Sequence, residues 1–157
     1  MPHDSGPQIA YPSRDDRRPA DLLPTGTLYV LRSSSAQPTT AAYRDLIHKI
    51  GITGGSVEAR IAGAANDATY LLAEVDVVAT YKLFNVHRTR LEALIHRVLG
   101  KVRFDVEIPH RFGKPVRPRD WFVMPVPVID EIVACIADEM LARMIYNPQS
   151  VALIPAK

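Results

Sequence analysis

The sequence predicts an α+β fold: a small, mostly antiparallel central sheet flanked by helices and followed by a C-terminal helix. Three observations carry this expectation. Short β-branched and aromatic runs stand near residues 27–31, 48–52, 75–81 and 121–123, and apolar residues recur at helical spacing in three other stretches. A chain of 157 residues that is 47% hydrophobic and 23% charged has room for one soluble core, not two.

Residues 1–24 scatter Pro2, Pro7, Pro12, Pro19 and Pro24 among Asp, Ser and Arg without an apolar period, so a disordered or loosely attached arm is expected there. The ordered domain is expected over 25–125 and a C-terminal helix and tail over 126–157. Thr27-Leu28-Tyr29-Val30-Leu31 reads as the first strand, and a polar connection runs from Arg32 to Ala42. His48-Lys49-Ile50-Gly51-Ile52 reads as its antiparallel partner and ends in the turn signal Thr53-Gly54-Gly55. Ser56 is placed as an N-cap for a helix that starts at Val57 and continues into the Ala-rich stretch, which Gly63 interrupts. Val75, Val77, Ala79 and Tyr81 form one apolar face of a third strand. A second helix begins near Thr89, carries Leu91, Leu94, Ile95, Val98 and Leu99, and stops at Gly100. Beyond a long basic loop, Trp121-Phe122-Val123 is a short strand. The last helix carries Ile129, Ile132, Val133, Ile136, Met140 and Leu141.

Composition excludes several function classes. No apolar run approaches the ~18 residues of a membrane span, and the amino terminus lacks the apolar region of a secretory signal. The single cysteine, Cys135, rules out an internal disulfide framework and a thiolate zinc site, so a cytoplasmic address is expected. The net charge of +2 hides a strong asymmetry: residues 82–119 hold ten basic and three acidic residues, whereas residues 120–143 hold one and five. Such a basic segment suits a polyanion such as DNA, although a solvated loop has the same composition.

The Tyr29 strand, Lys49-Ile50-Gly51, Arg60 on the first helix, Glu92 on the second and Trp121-Phe122 near the end occur in an order that resembles the GIY-YIG nuclease superfamily. The likeness is to its phage-type branch, where the second motif reads Lys-Ile-Gly and a Glu/Asp-Trp-Phe triplet follows the catalytic helix. There are departures. Thr27-Leu28-Tyr29 stands where the superfamily has Gly-Ile-Tyr, with Gly26 one residue early. Lys49 replaces the second tyrosine, and Ala64 stands where many members have a histidine.

The resemblance implies a metal-dependent DNA endonuclease in which Tyr29 activates water and one glutamate, Glu92, holds Mg²⁺ or Mn²⁺. Elementary chemistry agrees with these roles. Period 2 puts Tyr29 and Lys49 on one sheet face, where an ammonium beside a phenol favours the phenolate. Arg60 offers a planar fork for a phosphate, and a lone carboxylate suits a Mg²⁺ that keeps most of its waters. His96, four residues after Glu92 and on its face, is expected to contact phosphate or to support the metal ligand rather than to complete a Glu/His metal site, and Lys101, Arg103, Arg111, Lys114 and Arg117 to grip the DNA backbone. Gly26, Gly51, Trp121 and Phe122 are expected to be structural.

Plainer readings stand beside these: a strand aromatic, a solvated lysine, a surface ion pair, and a carboxylate favoured by a helix N-terminus. The alternative function is a catalytically inactive DNA-binding module of the same fold. The stripe of the last helix could pack on the domain or on a second copy, which would make a homodimer.

Overall fold

The computed structural model describes residues 8–10, 23–109 and 113–156; Arg111 and most of the expected arm lie outside these residues. Strands β1 (Gln8–Ala10), β2 (Pro24–Ser33), β3 (Ile47–Thr53), β4 (Val75–Phe84) and β5 (Trp121–Val123) form one sheet in the order β1-β4-β2-β3-β5. Within the segment expected to be a loose arm, β1 lies parallel to β4, and every other pair is antiparallel. The expected pairing of β2 with β3 is present, with Thr27 opposite Thr53 and Tyr29 opposite Gly51.

Alternation along the strands splits the sheet into two faces. On one, Leu28, Val30, Ile50, Ile52, Tyr81, Leu83 and Phe122 meet helices α3 (Arg88–Val98) and α4 (Val126–Ala137) in the main core. On the other, Tyr29 and Leu31 pack with Val57, Ala64 and Tyr70, while Ile47 and Trp121 pack with Ala68, Leu71 and Phe104. Trp121 and Phe122 are fully buried in different clusters, and Trp121 Nε1 donates to the Thr69 carbonyl at 3.0 Å.

Three expectations are corrected. The connection after β2 contains a short helix, α1 (Pro38–Ala42), with Pro38 at its start and the Gln37 side chain accepting from Thr40 N. The helix after Ser56, α2, spans only Val57–Ile61, and the Ala-rich stretch continues as separate 3₁₀ turns, the second capped by Asp67. The last helix ends at Ala137, so Met140 and Leu141 are outside it. Glu139 adopts φ 58°, and that reversal sends Leu141 into the core.

The tail then forms a hairpin, β6 (Met144–Asn147) and β7 (Ala152–Pro155), whose Tyr146 and Leu153 join the main core. Its four-residue strands are too short to show a decisive alternation. The α4 stripe Val128, Ile129, Ile132 and Ile136 is buried in the domain itself, which removes the surface proposed for a homodimer. Among the described residues no helix is long and apolar enough to cross a membrane.

One buried polar group makes a testable prediction. His48 on β3 has no exposed surface; its Nδ1 lies 3.1 Å from the Met124 carbonyl and its Nε2 3.2 Å from Arg32. Burial, reinforced by the Arg32 charge, pushes its pKa down to about 4. The folded chain therefore keeps His48 neutral while the unfolded chain takes up a proton below about pH 6.5. Stability from this group is complete above that pH and is lost as the pH falls toward about 4, by roughly 3 kcal/mol. Urea midpoints across this window should fall for the wild type and depend less on pH in His48→Gln; parallel curves would show that His48 is not held neutral.

Candidate active site

Tyr29 sits in the middle of β2 with its ring laid across β3 at Gly51. A Cβ on Gly51 would lie 2.3 Å from the Tyr29 Oη and Cζ atoms. The residue opposite Tyr29 must therefore be glycine, which gives the Lys-Ile-Gly motif a steric cause. Although Tyr29 is only 2% exposed, its hydroxyl meets two polar neighbours. The Arg60 guanidinium stands beside it on α2, and the Tyr29 hydroxyl is the main cause that raises the Arg60 pKa, so Arg60 remains charged. Tyr70, from the 3₁₀ turn after α2, donates to the Arg60 carbonyl at 3.0 Å and packs with Tyr29 in the same buried cluster. Burial, with Tyr29 beside it, pushes the Tyr70 pKa up to about 12, so Tyr70 keeps its proton.

Lys49 shares the Tyr29 face, but its charge is directed elsewhere. It is 3% exposed; Nζ donates to Asp120 Oδ2 at 2.8 Å and lies 4.9 Å above the Tyr70 ring. The cation at the Tyr29 hydroxyl is thus Arg60, and the positive charge of Lys49 is balanced by Asp120. Sequence reasoning missed Tyr70 and Asp120. Asp120 was readable as the first residue of the Asp-Trp-Phe triplet, whereas Tyr70 lies in an irregular segment and carries no periodic signal.

The second group stands on α3. Glu92 is the fifth residue of that helix, which has no acidic residue in its first turn, so stabilisation by the helix N-terminus does not account for it. Among the described residues its carboxylate makes no hydrogen bond or ion pair. His96 follows one turn later, edge-on to Phe122 at 5.4 Å, with Nε2 3.4 Å from Asp120 Oδ1. That Nε2 is buried without a hydrogen bond. Burial lowers the His96 pKa against the opposing pull of Asp120 and Glu92. Asp120 therefore lies between Lys49 on the sheet and His96 on the helix.

The two groups belong to opposite sheet faces, and the β3 edge lies between those faces. Strand β5 pairs only with Ile47, His48 and Lys49, so the ladder stops short of Gly51. Tyr29 covers Gly51 from one face, while Ile52 packs with Leu91 and Ile95 of α3 on the other.

The expected DNA grip is only partly free. Lys101 and Lys114 are exposed. Arg103 donates to the Arg119 carbonyl at 3.0 Å and stacks on Phe122, and Arg117 pairs with Asp105 and with Glu107 at 3.4 Å. Gly26 has φ 156°, and a Cβ there would come within 2.8 Å of the Thr53 carbonyl and 2.9 Å of Arg88 Cδ. Its glycine is thus explained by close approach at the end of β2, not by the Tyr29 seat.

Residues 26–137 match the T5orf172 domain. The chain belongs to the T5orf172 domain family. That family is associated with phage-type endonuclease-like functions. The chain is also 44% identical over 117 residues to the uncharacterized protein YeeC of Bacillus subtilis (strain 168), a match covering 72% of this chain and 30% of that protein. It therefore spans under a third of this relative's length. No solved structure matches it significantly. The T5orf172 match contains Tyr29, Lys49, Arg60, Tyr70, Glu92, His96 and Asp120, so the clustered residues all belong to the shared domain.

Proposed function

We propose that this T5orf172 domain is a metal-dependent DNA endonuclease of the GIY-YIG type. The observation that supports it best is Tyr29, its ring seated on Gly51 and its hydroxyl beside Arg60 and Tyr70, at the part of β3 that β5 leaves unpaired. A core tyrosine needs one partner for its hydroxyl. This one has a permanent cation and a second phenol that holds its proton, an arrangement suited to moving a proton at an anionic substrate.

In this reading Tyr29 acts as the phenolate and takes the proton of a water as that water's oxygen bonds to phosphorus; the phosphorus–oxygen bond to the leaving strand breaks, and the departing oxygen takes a proton from solvent. Arg60 neutralises charge on the phosphate through its fork. Tyr70 supplies the second phenol that Lys49 does not, and Lys49, fixed by Asp120, holds Asp120 toward His96. Glu92 fits a hard divalent ion: among the described residues it is a half-exposed oxygen donor without a partner, and no three His, Cys, Asp or Glu side chains gather there as a closed ligand set. That chemistry suits an ion that keeps most of its waters. Mg²⁺ or Mn²⁺, when bound there, supplies charge neutralisation on the phosphate and help for the departing oxygen.

The test is nicking of supercoiled plasmid by the full chain with Mg²⁺ or Mn²⁺ against EDTA. Metal-dependent nicking is the expected result. Duplex binding without nicking in either metal would favour the inactive DNA-binding module.

A further inference from the structure

Arg88, at the start of α3, is built into the same helix ridge as Glu92 and has no acidic partner among the described residues. It precedes Glu92 by four residues, and Glu92 precedes His96 by four, so each neighbouring pair is adjacent along the helix surface. The side chain crosses two glycines. Cδ lies 2.9 Å from the place a Cβ would take on Gly26, and Cζ 2.9 Å from that on Gly54. The guanidinium donates through Nη1 to the Thr25 carbonyl, a neutral partner. Among the described residues no carboxylate pairs with it, in contrast to Arg117, whose charge is offset by Asp105 and Glu107. The residue is exposed, so its guanidinium is available to solvent while its stem is guided along the sheet end.

We propose that Arg88 is a DNA-phosphate clamp, holding a backbone phosphate one or two nucleotides from the one that is cut. This rests on the nuclease reading above. One helical turn separates Arg88 from Glu92, about 6 Å along the axis. A duplex strand carries one phosphate per ~3.4 Å of its axis, so a phosphate at Glu92 places a near neighbour within reach of Arg88. The planar fork is the chemistry that recognises a phosphate in fixed orientation. Gly26 and Gly54 then have a functional consequence: side chains there would push the arm of the clamp aside.

The experiment is fluorescence anisotropy of a duplex oligonucleotide with the full chain in EDTA, across a salt series, for wild type, Arg88→Gln and Arg88→Lys. Gln keeps most of the stem and a donor for Thr25, so a residue that only braces the sheet end would tolerate it. The expected result is that Arg88→Gln binds about tenfold more weakly and loses about 0.9 from the slope of log K against log salt. Arg88→Lys should recover the slope but not all of the affinity, because charge is restored without the fork. Wild-type binding with an unchanged slope in Arg88→Gln would overturn the clamp and leave the nuclease reading intact. A slope that stays low in Arg88→Lys, with all three proteins melting alike, would also overturn it. Absence of wild-type binding to duplex would instead defeat the DNA-cleaving function on which the clamp depends.

Discussion

Glu92→Gln is expected to reduce strand cleavage by a factor of about 10³ or more while leaving folding and duplex binding nearly intact. Glutamine has nearly the same shape, and the Glu92 carboxylate makes no hydrogen bond or ion pair among the described residues, so the folded chain has little to lose. Its position beyond the first turn of α3 also limits any loss from the helix dipole to a few tenths of a kcal/mol. What the substitution removes is the anionic oxygen that suits a divalent ion. Single-turnover nicking at matched protein and metal concentrations, with anisotropy for binding and thermal melting for folding, separates these effects. Nicking at the wild-type rate would exclude Glu92 as the metal ligand. Loss of folding together with cleavage would give it a structural role.

The parts of the fold legible in the sequence are those whose periodicity is long enough to choose a face. Leu28, Val30, Ile50 and Ile52 alternate, Leu91, Ile95 and Val98 recur along a helix, and all of them enter the main core. The segments that escaped are short. A five-residue helix, 3₁₀ turns and four-residue hairpin strands carry too few repeats to distinguish one period from another. The site follows the same division. Tyr29, Arg60 and Glu92 were placed through regular elements, and the structure brings the first two close together. Lys49 was placed on the correct face, but its partner was not, because the sheet register says where a side chain starts and not which of two nearby charges it reaches. Asp120 is 71 residues away from Lys49, and only the β3–β5 pairing brings it to Nζ. Tyr70 reaches Tyr29 because the chain after α2 folds back over the sheet.

That arrangement puts the glycine beneath Tyr29 under a tight steric constraint, and Gly51→Ala is expected to cost about 1–3 kcal/mol of stability and about 10²-fold in cleavage. The added methyl would need to lie 2.3 Å from Oη and Cζ of Tyr29, far inside van der Waals contact. Neither side can yield cheaply. Gly51 is fixed by its pairing with Tyr29 across the β2–β3 ladder, and the tyrosine ring is packed with Leu31, Val57, Ala64 and Tyr70. The ring must therefore tilt, which carries the hydroxyl away from Arg60 and Tyr70. Gly63→Ala is the control, because nothing lies within 4 Å of its Cβ position, and its effect on cleavage should be small. A double-mutant cycle with Tyr29→Phe identifies the cause. If Gly51 acts only through the tyrosine, the cleavage losses of the two variants should be far from additive, since removing the hydroxyl leaves little for the tilt to misplace. Additive losses, or a Gly51→Ala protein that melts and cuts like the wild type, would show that the glycine is not the seat of the reacting phenol.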